Sequence, residues 1–142
     1  MSRIRTRLAA GATVLAMAAV PAYALAATKH GITPTSPKAG AKVPRGKAVT
    51  FKGKVSGAGT IFVHVCKSAK KAKDGRICSK EVIAQAKKSG GSFTLKQKVF
   101  AFDEYWLNQP GTYYWQAHRI ACEGGNTSDC YQEGPVVKFR VG

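Results

Sequence analysis

Lysines are the chemically most suggestive residues of this sequence, and several of them lie between two cysteines. The stretch "CKSAKKAKDGRIC" (66–78) contains five basic residues and one acid between Cys66 and Cys78. Lysine binds phosphate or carboxylate as a point charge, so the stretch suits an undiscriminating contact with an anion. It has no aromatic residue for stacking on bases or sugars, and a solvated charged hairpin is the alternative interpretation. We expect Ile77 to anchor the return of this loop.

Among the remaining polar residues no catalytic constellation is recognisable. The three histidines (His30, His64 and His118) are too scattered for a ligand motif, so no metal and no other cofactor is predicted. The closest pair of carboxylates, Asp103 and Glu104, is adjacent in sequence and expected to point apart, unlike the facing pair of a glycosidase. The sequence contains no nucleophile elbow and no phosphate-binding glycine loop. These observations predict a protein that is not an enzyme.

The pattern of residues 1–26 is that of a secretory signal peptide. Three arginines precede the apolar run "LAAGATVLAMAAV" (8–20), and small residues follow at cleavage spacing. The run is shorter than the ~20 residues that a spanning helix needs, so we expect no transmembrane span after cleavage. In a small exported domain, four cysteines indicate two disulfides rather than a zinc or redox site.

Positive charge is concentrated in the first part of the exported chain. The whole sequence has a formal net charge of +16. Residues 27–100 contain 17 basic and two acidic residues, whereas residues 101–142 contain three basic and five acidic residues. Such asymmetry favours a polyanion or an anionic surface as partner, and solubility of a secreted protein is the alternative explanation.

Alternation of apolar and polar residues predicts a series of short β-strands. The runs at 47–55, 60–66, 91–100, 112–122 and 135–141 alternate with period two, 81–87 does so more weakly, and turn-forming residues separate them. This spacing is typical of an antiparallel sandwich or a small barrel. Residues 27–47 contain three prolines and no periodic pattern, so they are predicted to form an extended leader before the domain.

One stretch, "LNQPGTYYWQAHRI" (107–120), resembles strand F of fibronectin type III and related bacterial immunoglobulin-like domains. The resemblance implies that Leu107 plugs one end of a sandwich, that Tyr113 is a corner tyrosine, and that Trp115 and Ala117 point inward. The closing "GPVVKFRV" (134–141) resembles strand G of the same family. The implied fold is all-β, an antiparallel seven-stranded sandwich over residues 48–142. The four cysteines depart from this family, whose members commonly have none.

On that fold, the strands at 60–66 and 112–122 are antiparallel neighbours. Cys66 and Cys122 then lie several residues apart along the strands, and at ~3.3 Å per residue this exceeds the ~7 Å limit for a disulfide. Local pairing, as Cys66–Cys78 and Cys122–Cys130, is therefore expected. Two local disulfides also resemble the neocarzinostatin family of secreted chromophore carriers, which implies a small-ligand carrier as an alternative function.

The same fold places two groups of side chains on the outer sides of the sheets. On one sheet, outward side chains form a candidate contact face for a sugar or a protein, with an ordinary solvated face as the alternative. On the other sheet, outward lysines are expected to form a cross-strand block that the lysines of the 66–78 loop supplement; protection against aggregation is the alternative role. The contact face comprises Phe62, His64, Tyr114, Gln116 and His118; the polyanion-binding lysines are Lys52, Lys54, Lys96, Lys98, Lys70, Lys71 and Lys73.

Together, these features predict a secreted, monomeric, non-catalytic module. We expect it to associate with an anionic cell-envelope polymer or acidic polysaccharide, without specific recognition of nucleic acid. A protease inhibitor that presents Lys73 or Arg76 in a stapled loop is a further alternative to the small-ligand carrier. "NTS" (126–128) is a formal glycosylation sequon at Asn126.

Overall fold

Nine β-strands make up the regular structure of the described part of the chain. The computed structural model describes residues 27–73, 75–77, 83–98, 107–122 and 130–142. Within these ranges the structure has no helix, and therefore none that is long and apolar enough to cross a membrane. The strands are β1 (Ile32–Ser36), β2 (Lys42–Val43), β3 (Val49–Val55), β4 (Thr60–Cys66), β5 (Ile83–Gln85), β6 (Lys87–Ser89), β7 (Ser92–Gln97), β8 (Gly111–Ile120) and β9 (Tyr131–Val141).

The strands form two sheets that pack face to face. The first sheet has the order β1-β3-β7-β6, and the second has the order β2-β9-β8-β4-β5. Every pairing of named strands is antiparallel except that of β2 with β9, which is parallel. The prediction of an all-β, two-sheet architecture is confirmed.

Aromatic residues from both sheets fill the core. In β3, Val49, Phe51 and Val55 are buried while the lysines between them are exposed, as the period-two pattern requires. The Phe51 ring packs edge-on against Trp115 of β8, with centroids 5.3 Å apart, and against Phe139 of β9 at 6.0 Å. These contacts join the two sheets, so the inner sides are apolar and the charged side chains are left on the outer sides.

The end of the sandwich near residue 113 has the geometry that residues 107–120 predict. The Tyr113 hydroxyl donates to the carbonyl oxygen of Gln109 at 3.0 Å, and its ring stacks on Phe139 with centroids 5.8 Å apart. Leu107 and Trp115 are fully buried, and Ala117 is 1% exposed. The predicted corner tyrosine and the predicted inward residues are therefore both present.

Two details of the predicted architecture are wrong. The described residues form nine strands instead of the predicted seven, and the sandwich begins at β1 rather than at residue 48, because part of the expected leader joins both sheets. β1 pairs with β3, and β2 pairs with β9. β1 tolerates Pro34 because it is an edge strand of its sheet. On the open side of an edge strand there is no partner strand that needs the N–H group that proline lacks.

The described residues contain one complete disulfide rather than two. Cys122 and Cys130 are bonded, with their Cα atoms 4.7 Å apart. Cys66 is also disulfide-bonded, but Cys78, its predicted partner, lies outside the described residues. The predicted signal peptide (1–26) and the sequon at Asn126 lie outside them as well.

Candidate functional site

Exposed lysines lie on the outer side of the first sheet, on three neighbouring strands. Lys52 and Lys54 extend from β3 and Lys96 from β7. Lys87 of β6 lies on the same side, because it is paired with Thr94, which also faces outward. We call these four residues the lysine surface. Lys98 is exposed too, but it follows the end of β7 and is not part of the sheet.

The register of this sheet separates the lysines from one another. Lys52 lies opposite Thr94, Lys96 opposite Thr50, and Lys54 opposite Ser92. The lysines of the expected cross-strand block are therefore not directly opposed: each lysine has a hydroxyl side chain beside it. Lysines on adjacent strands are diagonal neighbours, about 7–8 Å apart at their Cα atoms, so their repulsion is weaker than that of a directly opposed pair.

No carboxylate balances the lysine surface within the described chain. The described residues of β1, β3, β6 and β7 include no Asp or Glu. Across all described ranges the single acidic residue is Glu133, which belongs to β9 in the other sheet. The outer side of the first sheet is therefore a field of positive charge and hydroxyl groups.

The predicted contact face of the second sheet is not exposed. Register places Phe62, His64, Tyr114, Gln116 and His118 on one outer side, as predicted, because residues 62 and 64 pair with 118 and 116. Gln116 is completely buried, however, and His64 and His118 are each 1% exposed. Phe62 and Tyr114 are half-buried. A face that is largely inaccessible cannot serve as a contact surface for a sugar or a protein.

The loop that follows Cys66 covers this face. Ile77 is fully buried, and its backbone N–H donates to the Oε1 atom of Gln116 at 3.0 Å. The Arg76 guanidinium lies 5.1 Å from the ring centroid of Tyr131 on β9. Gly75 is so close to Glu133 that a Cβ atom there would lie 2.9 Å from the carboxylate. The prediction that Ile77 anchors the return of the loop is confirmed.

Gln116 joins the loop to an irregularity in β9. Its Nε2 donates to the carbonyl oxygen of Gly134 at 2.9 Å, while its Oε1 accepts from Ile77. The β8–β9 register shifts between Gln116 and His118, so β9 has an extra residue at this point. The bulge needs glycine, because a Cβ atom at Gly134 would lie 2.8 Å from the side chain of Ile32. The buried side-chain amide of Gln116 thus forms hydrogen bonds with two backbone groups, the N–H of Ile77 in the loop and the carbonyl of Gly134 in β9.

Near Gln116, on the same outer side of the second sheet, two buried histidine side chains are hydrogen-bonded to each other. The Nε2 atom of His64 and the Nδ1 atom of His118 are 2.5 Å apart. Phe62 stacks on the His118 ring with centroids 5.4 Å apart. A bond between two imidazole nitrogens needs one donor and one acceptor, which two neutral rings provide. Within the described ranges no group of three or more His, Cys, Asp or Glu side chains is arranged to hold a metal ion.

Glu133 attaches the start of the described chain to the same region. Its carboxylate forms an ion pair with Lys29 at 2.5 Å, and His30 Nδ1 is hydrogen-bonded to the Glu133 carbonyl oxygen at 2.9 Å. Burial alone would raise the pKa of Glu133, but the hydrogen bond from Lys29, a backbone hydrogen bond and the nearby charges of Lys29 and His30 outweigh it and lower that pKa. The carboxylate is therefore held in its charged form.

The loop lysines lie on the other side of the molecule from the lysine surface. Lys70, Lys71 and Lys73 are exposed, and their loop packs on the outer side of the second sheet. The seven predicted polyanion-binding lysines therefore do not form one surface. No local pattern in the sequence indicates this separation, because it depends on the contacts that Ile77 and Arg76 make with distant strands.

Comparison with known proteins finds a solved structure that is similar to this chain. No protein-family model matches the chain, and no curated protein matches it. The solved structure of the CbhA fibronectin(III)-like modules of Clostridium thermocellum is similar, with 16% sequence identity and a TM-score of 0.49. The match covers 78% of this chain and 93% of that chain. At this identity and TM-score no residue role can be transferred between the two proteins.

Replacing Gln116 with leucine should loosen the loop. The substitution Gln116→Leu leaves the Ile77 N–H and the Gly134 carbonyl without their partner, so we expect the free energy of unfolding to fall by about 2–4 kcal/mol. Trypsin should also cut the lysine-rich loop faster than in the wild-type protein. Chemical denaturation and limited proteolysis of the oxidised protein measure the two effects. Gln85→Leu, at an exposed glutamine of the same sheet, is the matched control and should change neither. Equal stability of all three proteins would contradict the role assigned to Gln116.

Replacing Glu133 with glutamine should change how stability depends on pH. Because the pKa of Glu133 is lowered on folding, its charged form contributes stability at neutral pH, and this contribution disappears as pH falls through the folded-state value. We expect Glu133→Gln to cost about 1 kcal/mol or less at pH 7 and nothing in strong acid. Unfolding free energies across a pH series measure this. In a Lys29→Gln background the cost should shrink; a cost that is the same at every pH would contradict the ion pair.

Proposed function

We propose that this chain is an exported, non-catalytic β-sandwich module that binds an anionic cell-envelope polymer through its lysine surface. The observation that carries the proposal is the arrangement of Lys52, Lys54, Lys87 and Lys96 on neighbouring strands, with no described carboxylate among them. Such an arrangement lowers the stability of the free protein, because the charges repel one another. A bound polyanion offsets that repulsion, so the positive charges that destabilise the free protein stabilise the complex.

The chemistry of the surface favours an extended polymer over a small ligand. The lysines are exposed and lie on one side of a sheet, beside the hydroxyl groups of Thr50, Thr94 and Ser92. Ammonium groups on flexible stems follow a chain of phosphates or carboxylates without demanding one geometry. The outward residues of the described strands in this sheet include no aromatic side chain, so stacking on bases is not supported there.

The expected compartment narrows the class of polymer. The signal-peptide pattern of residues 1–26 supports export, and the disulfide between Cys122 and Cys130 fits an oxidising environment. Outside the cell, the polymers with regular negative charge are phosphodiester polymers of the teichoic-acid type and acidic polysaccharides. Both are partners that the lysine surface suits.

The two alternative functions have less support. An inhibitor would present Lys73 or Arg76 to a protease; Lys73 is exposed, but Arg76 is half-buried and lies over the Tyr131 ring. A small-ligand carrier needs a concave site between the disulfide loops. In the described part of that region the side chains of Gln116, His64 and His118 are buried, and Gln116 is hydrogen-bonded to the loop.

A salt series with a defined polyanion tests the proposal. We expect the oxidised mature protein to bind poly(glycerol phosphate), with log affinity falling linearly against log salt. Lys52→Ser combined with Lys96→Ser should reduce the slope by about 1.4–1.8, which corresponds to two lost contacts. Lys38→Ser with Lys47→Ser, on the connections between β1, β2 and β3, is the control of equal charge and should leave the slope nearly unchanged.

Two outcomes would overturn the proposal. The first is the absence of binding to poly(glycerol phosphate) and to polygalacturonate even at low salt. The second is an equal loss of slope in both double variants, which would mean that net charge, and not the lysine surface, determines binding. Comparing the two polymers also shows whether phosphate or carboxylate is the preferred group.

A further inference from the structure

A second group of cations lies on the outer side of the second sheet. Lys138 and Arg140 of β9 are exposed, and the residues that alternate with them, Val137, Phe139 and Val141, are buried in the core. Lys42 of β2 is exposed and lies beside Arg140 in the parallel pairing of the two strands. All three cations therefore extend away from the first sheet, from the part of the second sheet beyond the bulge of β9.

The loop after Cys66 adds cations on that same side. The loop packs on β8 and β9 through the Ile77–Gln116 hydrogen bond and the contact of Arg76 with Tyr131. Its lysines consequently belong to the outer side of the second sheet. We call the combined set the opposite cationic surface; its members are Lys42, Lys138, Arg140, Lys70, Lys71 and Lys73, all of them exposed.

The two cationic surfaces are separated by the whole thickness of the sandwich. The sheets are joined through the inward rings of Phe51, Trp115 and Phe139, so the outer sides face in opposite directions. Packed sheets are about 10 Å apart before their outer side chains are counted. That distance exceeds the Debye length of about 8 Å at physiological ionic strength. Two polyanions, one on each side, therefore repel each other only weakly.

The geometry points to a bivalent module that bridges two anionic chains, one on each outer side of the sandwich. This inference rests on the proposed function, because it assumes that the lysine surface binds a polyanion. It adds a second binding surface with the same ligand chemistry, namely repeated phosphate or carboxylate groups. A polymer segment on one side leaves the other side accessible, so each bound module gives the polymer network a cross-link.

Bridging and binding can be measured separately with polymer-coated beads. Beads of two colours carry poly(glycerol phosphate), and the mature oxidised protein is added at physiological ionic strength. We expect the wild-type protein to bind the beads and to join beads of different colour. Lys52→Glu with Lys96→Glu disables the lysine surface, and Lys138→Glu with Arg140→Glu disables part of the opposite cationic surface. Each double variant should still bind, with several-fold lower affinity, and bridging by each should fall at least tenfold.

A charge-matched control separates geometry from simple neutralisation. Arg45→Glu with Lys47→Glu, on the connection between β2 and β3, changes the net charge by the same amount and alters no member of either surface, so this variant should bridge like the wild-type protein. Binding by the wild-type protein without any bridging overturns this inference and leaves the proposed function intact. Equal bridging by all three double variants overturns it in the same way. Failure of the wild-type protein to bind at all overturns the proposed function, and this inference with it.

Discussion

The buried side-chain amide of Gln116 is the constraint on which the arrangement of the functional surfaces depends. A glutamine without exposure is costly unless both ends of its amide are hydrogen-bonded. Here one end accepts from Ile77 in the loop and the other donates to Gly134 in the bulge of β9. The loop is therefore positioned by a contact where it returns to the sheet, and its lysines are directed outward.

This arrangement sorts the chemistry of the chain into layers. Aromatic and aliphatic residues fill the space between the sheets, and a smaller layer of polar and aromatic groups is enclosed between the second sheet and the loop. Cations occupy both outer sides. The one described carboxylate, on Glu133, is paired with Lys29 near the start of the described chain and lies beside Gly75 of the loop. Positive charge is thus left available on opposite sides of a thin molecule.

Much of the fold could be predicted from local sequence patterns. Period-two alternation predicts β3, β4 and β8, because this signal depends on residues close together in the chain. The corner position of Tyr113 is implied by the resemblance of residues 107–120 to strand F of fibronectin type III domains. β1 and β2 carry no such signal. They are extended because of their pairing with β3 and β9, which are distant in sequence.

The candidate site was less predictable. Alternation along a strand predicts which side of the sheet a side chain is on, but it does not predict which other segments cover that side. His64, Gln116 and His118 do share the outer side of their sheet, but all three are buried, and the loop that packs on Gln116 is attached by contacts that no local pattern encodes. The alternation of lysine with threonine and serine across β3 and β7 likewise depends on register. A shift of one residue in that pairing would turn the lysines of one strand toward the core.

Chemical-shift mapping by NMR tests the two-sided binding of polyanions most directly. The mature protein, labelled with nitrogen-15, is titrated with poly(glycerol phosphate) at low salt. We expect shifts to concentrate at the amides of Lys52 and Lys96 and at those of Lys138 and Arg140. The side-chain amide of Gln116 should remain unchanged. Shifts centred on His64, Gln116 and His118, with little change at the lysine strands, would contradict this expectation, because the ligand would then displace the loop and occupy the face that the loop covers.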